Sequence, residues 1–487
     1  MIVGGSAKPM DEFLYYVEQP DPRAEAVLAF VLESLGIPAG RAVPPALWER
    51  PHLVYGGPQA VRPNGVLIHR NPRDPFWPEL LGGTFEPASL GGEIAFDVVG
   101  AIGAFLRDEV HHDLDPSAYD VHDRLNFAAS APARAGFGDI PVVNRYVEFV
   151  GRVLRGRLGM VGRPRWPDGR RAAIGLSHDV DLPNRYALLQ SAVRPWRLRG
   201  GPRTYLRRTV ELTARRARDR NPGDYWLFDR VMDSEAAHGF RSTFFFATVP
   251  FHARLGAPLD VAYDAGRREF RSVFRSIVDA GFEIGLHASY RAHEDASRLV
   301  AERARLSALT NREIAGVRHH YWHMGRDVEA TLRSHERAGF VYDTSLAFND
   351  HLGFRRSVAL PFYPFDPLLG RPLRTMQLPT FCMDGNLFYV SSDVDAAVEA
   401  VGRMIDRIVE VGGLGVIDWH IQTSFPANDE FRAWGIAYQE ILSLLAGRSD
   451  LWVTSPEAIA EWVGRATTES SAGSVGVARS DLGIAQR

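Results

Sequence analysis

Short apolar runs alternating with longer stretches of helical spacing dominate the chain from residue 171 onward. RAAIGLSHDVD, STFFFATV, FEIGLHASY, AGVRHHY, GFVYDTSL, LRTMQLPT, LGVIDWHI and DLWVTS each have strand character. Between them, segments such as YDAGRREFRSVFRSIVDAG and VDAAVEAVGRMIDRIVEVGG space their apolar residues for one helix face. About eight strands with helical crossovers predict an α/β fold whose parallel sheet closes into a (β/α) barrel over 171–464. The first 157 residues mix short apolar runs (VLAFVLESLGI, GVLIHR) with Pro and Gly turns and then a helical pattern, EIAFDVVGAIGAFLRDEVHH, which predicts a smaller, separate α/β domain. The aperiodic Gly, Pro and Arg-rich stretch around 158–170 reads as the linker, and the small polar residues of 465–487 as a disordered tail.

Composition changes this picture little. A chain of 487 residues with 45% hydrophobic and 24% charged residues has the usage of ordinary globular domains, and a net charge of −3 gives no overall pull towards nucleic acid or an anionic membrane. Lys8 is the only lysine, so positive charge is nearly all arginine. One segment, 194–220, is densely basic; it offers peripheral contact with a phosphate-bearing lipid carrier, a nucleotide sugar or an anionic glycan, or else a solvated helical face. Cys382 stands alone and reads as a buried small hydrophobe, so no intrachain disulfide forms. Neither a signal-length apolar run nor a stretch of ~20 apolar residues is visible, and the expected location is cytoplasmic.

In a barrel of this kind the working residues sit where strands end. Four predicted strands end in titratable groups: Asp179 and Asp181; His287; Arg318, His319 and His320; and His420. Asp179 and Asp181 alternate by one residue, which turns both carboxylates to one side of an extended backbone. One could bind a metal while the other takes a proton from water, although strand-end aspartates also cap helices or bind arginine. Histidines beside a carboxylate suit zinc or a similar divalent metal.

The order LSHDVD, RSTFFFAT, EIGLHAS, RHHY, YDTSL and IDWH resembles that of the polysaccharide deacetylases, the NodB-like members of carbohydrate esterase family four, over roughly 171–460. The resemblance implies a distorted (β/α) barrel that hydrolyses N-acetyl or O-acetyl groups on sugars. It implies Asp179 as general base, Asp181 as metal carboxylate and His287 as the first metal histidine. Arg318 would hold the base, and Asp343 would orient His420, the acid for the leaving group. The family's second metal histidine falls on Arg291 here; His320 is the favoured replacement and His293 the other candidate. The aspartate pair is spread as DVD, and FDVVGAIGAFLRDE with DVHDRLNFAAS resembles the uncharacterised domain that precedes one divergent branch.

Tyr321, Trp419 and Arg355 are candidate residues for a sugar cleft, where aromatic faces stack on apolar sugar faces. The expected activity is metal-dependent removal of acetyl from amino sugars of a surface polysaccharide or its precursor, with a glycan or a lipid- or nucleotide-linked sugar as partner. Two other readings stay open: a metal-free amidohydrolase acting on another C–N bond, and a non-catalytic glycan-binding scaffold built on a degenerate barrel.

Overall fold

An aspartate followed by a proline starts the first helix, Pro22–Ser34: the Asp21 side chain accepts from the N–H groups of Arg23 and Ala24, and proline fits the first turn, where its missing donor costs nothing. The apolar run VLAFVLES therefore forms the buried face of a helix. This computed structural model describes residues 13–42, 50–57, 64–70, 92–184, 225–249, 259–261, 263–388 and 393–475, with isolated positions 210 and 214. The basic segment 194–220 thus falls almost wholly outside the described residues, as does 476–487. Strands β1 (Phe13–Val17), β2 (Ala39–Arg41), β3 (His52–Gly56), β4 (Gly65–His69) and β5 (Glu93–Ile94) pair in parallel in the order β2-β1-β3-β4-β5.

The helices Pro22–Ser34, Val98–Leu106 and Val142–Leu158 do not enclose a core of their own. Leu28, Val31, Ile102, Tyr146 and Phe149 belong to one continuous apolar cluster with Met324, Leu332, Leu346, Val358, Leu360, Phe362 and Leu373, from the other half of the chain. Asn144 pins this junction by pairing its buried amide with one backbone unit: Nδ2 donates to the Ala359 carbonyl at 3.2 Å and Oδ1 accepts from the Ala359 N–H at 2.8 Å.

The larger sheet begins with β6 (Ala172–Val180), buried at all nine positions, as strands covered on both faces must be. It continues with β7 (Ser242–Phe246), β8 (Glu283–Ala288), β9 (Gly316–His319) and β10 (Tyr342–Asp343). A short antiparallel ribbon, β11 (Phe365–Asp366) with β12 (Arg371–Pro372), interrupts the series before β13 (Met376–Gln377), β14 (Thr380–Met383), β15 (Leu414–Asp418) and β16 (Leu451–Thr454). The parallel order is β13-β10-β9-β8-β7-β6-β15-β14. Only Leu378 and Pro379 separate β13 from β14, so the two ends of the sheet are one stretch of chain and the sheet curls back on itself. β16 pairs with Ala172–Gly175 of β6 while β7 pairs with Leu176–Val180. Since β15 holds the other edge, β16 and β7 share one edge of β6, which distorts the barrel. Helices such as Arg268–Asp279, with Phe270, Val273, Phe274 and Ile277 on one face, cover the outside.

Eight of these strands match the predicted runs; β14, in TFCM, does not. The Leu378-Pro379 break merges it with β13 in the sequence pattern. The final helix, Pro456–Val475, carries the backbone past Gly464 into the stretch read as tail. Among the described residues no helix is long and apolar enough to cross a membrane.

Where β8 begins, Glu283 is buried and accepts from Tyr342 Oη at 2.6 Å, from the Thr243 hydroxyl and from the Glu457 N–H at 3.2 Å. Burial, and then the nearby Glu457, push its carboxyl up to about 8. A folded-state value above the ordinary 4.5 means a contribution to stability that is complete below about pH 4.5 and lost as pH rises through about 8. Glu283→Gln is expected to flatten that loss; urea midpoints from about pH 5 to about pH 9 check it, and a wild-type slope in the variant would contradict it.

Candidate active site

Arg318, at the third position of β9, lies wholly buried inside the barrel. Such a cation persists only if its five N–H groups and its charge are met. Nε donates to Thr344 Oγ1 at 3.0 Å, Nη1 to Asp179 Oδ1 at 2.9 Å and Nη2 to Ser177 Oγ at 2.8 Å. Asp418 Oδ1, at the end of β15, lies 2.9 Å from Nη1, and the guanidinium sits 4.4 Å over the Phe245 ring. Gly285 makes room for that ring, because a Cβ there would come within 2.5 Å of it. Burial works against the charge on Asp179, but His287 and Arg318 hold its carboxyl below the ordinary range. Burial pushes Asp418 well up, reinforced by the Asp179 charge, so Asp179 keeps the charge opposite Arg318.

Asp181 follows β6 and faces three imidazoles. Its Oδ1 lies 3.2 Å from His287 Nε2, and its Oδ2 lies 3.3 Å from His320 Nε2 and 3.4 Å from His420 Nε2. Against the cost of burial, His320 and hydrogen bonds from the three rings hold Asp181 well below the usual carboxylate range. His287 Nδ1 donates to the Arg318 carbonyl at 3.1 Å, which directs Nε2 at Asp181 and at Asp179 Oδ2, 3.7 Å away. Asp181 Oδ1 and His287 Nε2 are both buried without a well-formed hydrogen bond. Asp181, His287 and His320 each offer one ligand atom, all within 4.8 Å of one another. One carboxylate and two imidazoles converging here, with Asp181 Oδ1 and His287 Nε2 buried and unpartnered, fit a divalent metal, which would bind the rings in their neutral form.

His420 is held from behind. Its Nδ1 donates to Asp384 Oδ1 at 2.8 Å, and its backbone N–H donates to Asp384 Oδ2 at 3.0 Å. The Thr423 hydroxyl donates to the same carboxylate. Burial alone would lower the imidazole, but Asp384, together with Asp181, holds it well above its ordinary value. His320 Nδ1 faces Asp260 Oδ1 at 4.0 Å, and Asp181 raises this ring too against its burial.

The structure thus brings together Asp179, Asp181, His287, Arg318, His320 and His420. Half-buried Tyr321 stands at the rim, its ring 4.6 Å from that of His320. Four expected residues lie elsewhere. Asp343 is turned away from His420: its Oδ1 accepts from the Ser345 N–H and hydroxyl at 3.0 and 2.5 Å, and Oδ2 lies 3.9 Å from His335. His293 packs its ring at a tilt against that of His323, 4.1 Å away, with Nδ1 directed at the Tyr290 carbonyl, outside the Asp181 cluster. Trp419 is core, its Nε1 bonded to the Thr423 carbonyl and its ring packed on Tyr438. Arg355 makes a two-pronged ion pair with Asp108, at 2.9 Å for each bond, and lines the cavity beside the rim, outside the Asp181 cluster. Arg291 is exposed and paired with Glu294. Cys382 is buried, its thiol pushed well up by burial, as expected of a small hydrophobe.

Asp384 is the functional residue that sequence reasoning missed. It directly follows β14 on the same rim, and the rule that located the others would have found it had β14 been recognised. A cavity of about 210 Å3 adjoins this rim, between Tyr119, Arg124 and Leu125 of the N-terminal portion and Trp322, Arg326 and Ser345 of the barrel.

No family model and no curated protein matches the chain. Among solved structures it is similar to a protein described as a polysaccharide deacetylase from Mycobacterium smegmatis, at 19% identity and a TM-score of 0.41 over 62% of this chain and 93% of that one. It is also similar to Puue allantoinase, at 17% and 0.42 over 63% and 95%. A third likeness is to a protein described as a polysaccharide deacetylase from Pseudomonas aeruginosa PAO1, at 15% and 0.41 over 64% and 97%.

Arg318→Ala would leave the buried Asp179 charge without its cation and Asp418 without its partner, and is expected to cost roughly 3–5 kcal/mol in urea unfolding. A loss under about 1 kcal/mol would show that Asp179 and Asp418 need no such partner.

Proposed function

We propose that this protein is a metal-dependent hydrolase that removes acetyl groups from amino sugars of a surface polysaccharide or its precursor. The observation that carries this reading is the convergence of three unlike groups on one rim. A carboxylate with two imidazoles (Asp181, His287, His320) lies beside a second carboxylate held ionised (Asp179) and a third imidazole held protonated (His420). The order of motifs along the chain supports the same chemistry.

Zinc or a similar ion held by Asp181, His287 and His320 would polarise the acetamido carbonyl and acidify water. Asp179 is the base. Arg318 occupies its Oδ1, which leaves Oδ2 to accept a proton from the water that attacks the carbonyl carbon. As the C–N bond breaks, His420 Nε2 gives its proton to the departing amine, so the products are acetate and the free amino sugar. Asp384 fixes His420 Nδ1 and thereby aims Nε2 at the site. Tyr321 offers the ring on which a sugar face would stack.

Asp179→Asn keeps the shape of the base and removes its proton affinity. Acetate release from N-acetylated sugar substrates is expected to fall by about 100-fold or more, with zinc content unchanged. Wild-type turnover in this variant would remove Asp179 from the reaction. The exposed Arg291, standing where a further metal histidine is usual, is the observation that favours a metal-free amidohydrolase; activity that withstands a strong chelator would select that reading.

A further inference from the structure

The turn that follows β9 is built in an unfavourable conformation. His320 is followed by Tyr321 at φ +60° and Trp322 at φ +50°, in the left-handed region that side chains other than glycine's rarely adopt. Two such residues in succession persist only where the surroundings over-determine them. Here much of that surrounding comes from the N-terminal portion of the chain, outside the barrel.

Arg124 Nη1 donates to the Tyr321 carbonyl at 3.1 Å and to Asn349 Oδ1 at 2.8 Å. The guanidinium is itself fixed by Asp120, which accepts Arg124 Nε at 2.8 Å and also takes the backbone N–H groups of His122 and Arg124. His122 lays its ring 4.7 Å from Tyr321 and hydrogen-bonds Tyr290 Oη through Nδ1 at 2.9 Å. Asp123 accepts Arg326 Nε at 2.8 Å, beyond the far end of the turn. A backbone bond from Asp120 N–H to the Arg124 carbonyl closes the loop, and the partly buried Asp108–Arg355 pair anchors the segment that leads into it.

We propose that residues 120–124 clamp the His320–Trp322 turn, with Arg124 as a positioning residue for the metal ligand His320. The inference rests on the metal reading above and gives the N-terminal portion a role in it. Groups behind a ligand restrict its ring to the coordinating orientation, and their loss costs metal affinity even when no ligand is removed.

The test is zinc affinity of the full chain, measured by competition with a chromophoric chelator. Arg124→Ala is expected to raise the zinc Kd about tenfold or more. Arg124→Lys keeps the charge but cannot serve Asp120, Tyr321 and Asn349 together, and is expected to fall between. Arg145→Ala is the control: it breaks a 2.9 Å ion pair to Glu410, which joins the same two portions at the opposite, strand-entry end. Unchanged zinc affinity in Arg124→Ala, with wild type binding zinc, would overturn the clamp and leave the metal reading standing. Equal weakening in Arg145→Ala would replace the clamp with a general loosening of the junction. A wild-type chain that takes up no zinc would overturn the metal reading itself.

Discussion

The buried guanidinium of Arg318 is the constraint on which the rest of the site depends. It draws on β6 through Ser177 and Asp179, on β15 through Asp418, on the end of β10 through Thr344 and on β7 through the Phe245 ring. A cation so placed is tolerable only with all these partners in position, which makes the strand registers and the charges interdependent. The pleat does the remainder. Ser177, Asp179 and Asp181 share one face of the extended chain, so a strand that presents partners to Arg318 also presents Asp181 to the three imidazoles. His178 points to the other face, where it bonds Glu235 at 2.6 Å and closes a separate buried network with Tyr438.

From this arrangement the division of labour follows. Two carboxylates stand on adjacent same-face positions, but only Asp179 is committed to an arginine, and only Asp181 is ringed by histidines. In the proposed reaction the one would accept the proton and the other would hold the metal. His420 stands beside them yet takes its orientation from Asp384, directly after β14, the strand that closes the barrel. The N-terminal portion is bound into the same unit by a continuous apolar core and by the loop at 120–124, which contacts the turn after β9 at the rim.

Much of this was legible in the sequence because the barrel repeats one rule, apolar strand followed by titratable end. That rule located Asp179, Asp181, His287, Arg318, His320 and His420. It failed where a pattern was broken: the Leu378-Pro379 interruption hid β14 and with it Asp384, and the role of His420's partner passed to Asp343, which binds Ser345 instead. Trp419 and Arg355 show a different limit. A large aromatic or an arginine beside a site has the same sequence signature whether it faces the cleft or fills a core, and only the packing around Tyr438 and the ion pair with Asp108 decide. The shared core was equally invisible, since an apolar face does not announce which element covers it.

The most direct test of the central claim is the metal content of the purified protein beside its Asp181→Ala and His293→Ala variants, by elemental analysis after dialysis against a weak chelator and resupply of zinc. Near-stoichiometric metal is expected in the wild type, retained in His293→Ala and lost in Asp181→Ala. Equal metal in all three, or none in any, would contradict a site built from Asp181, His287 and His320.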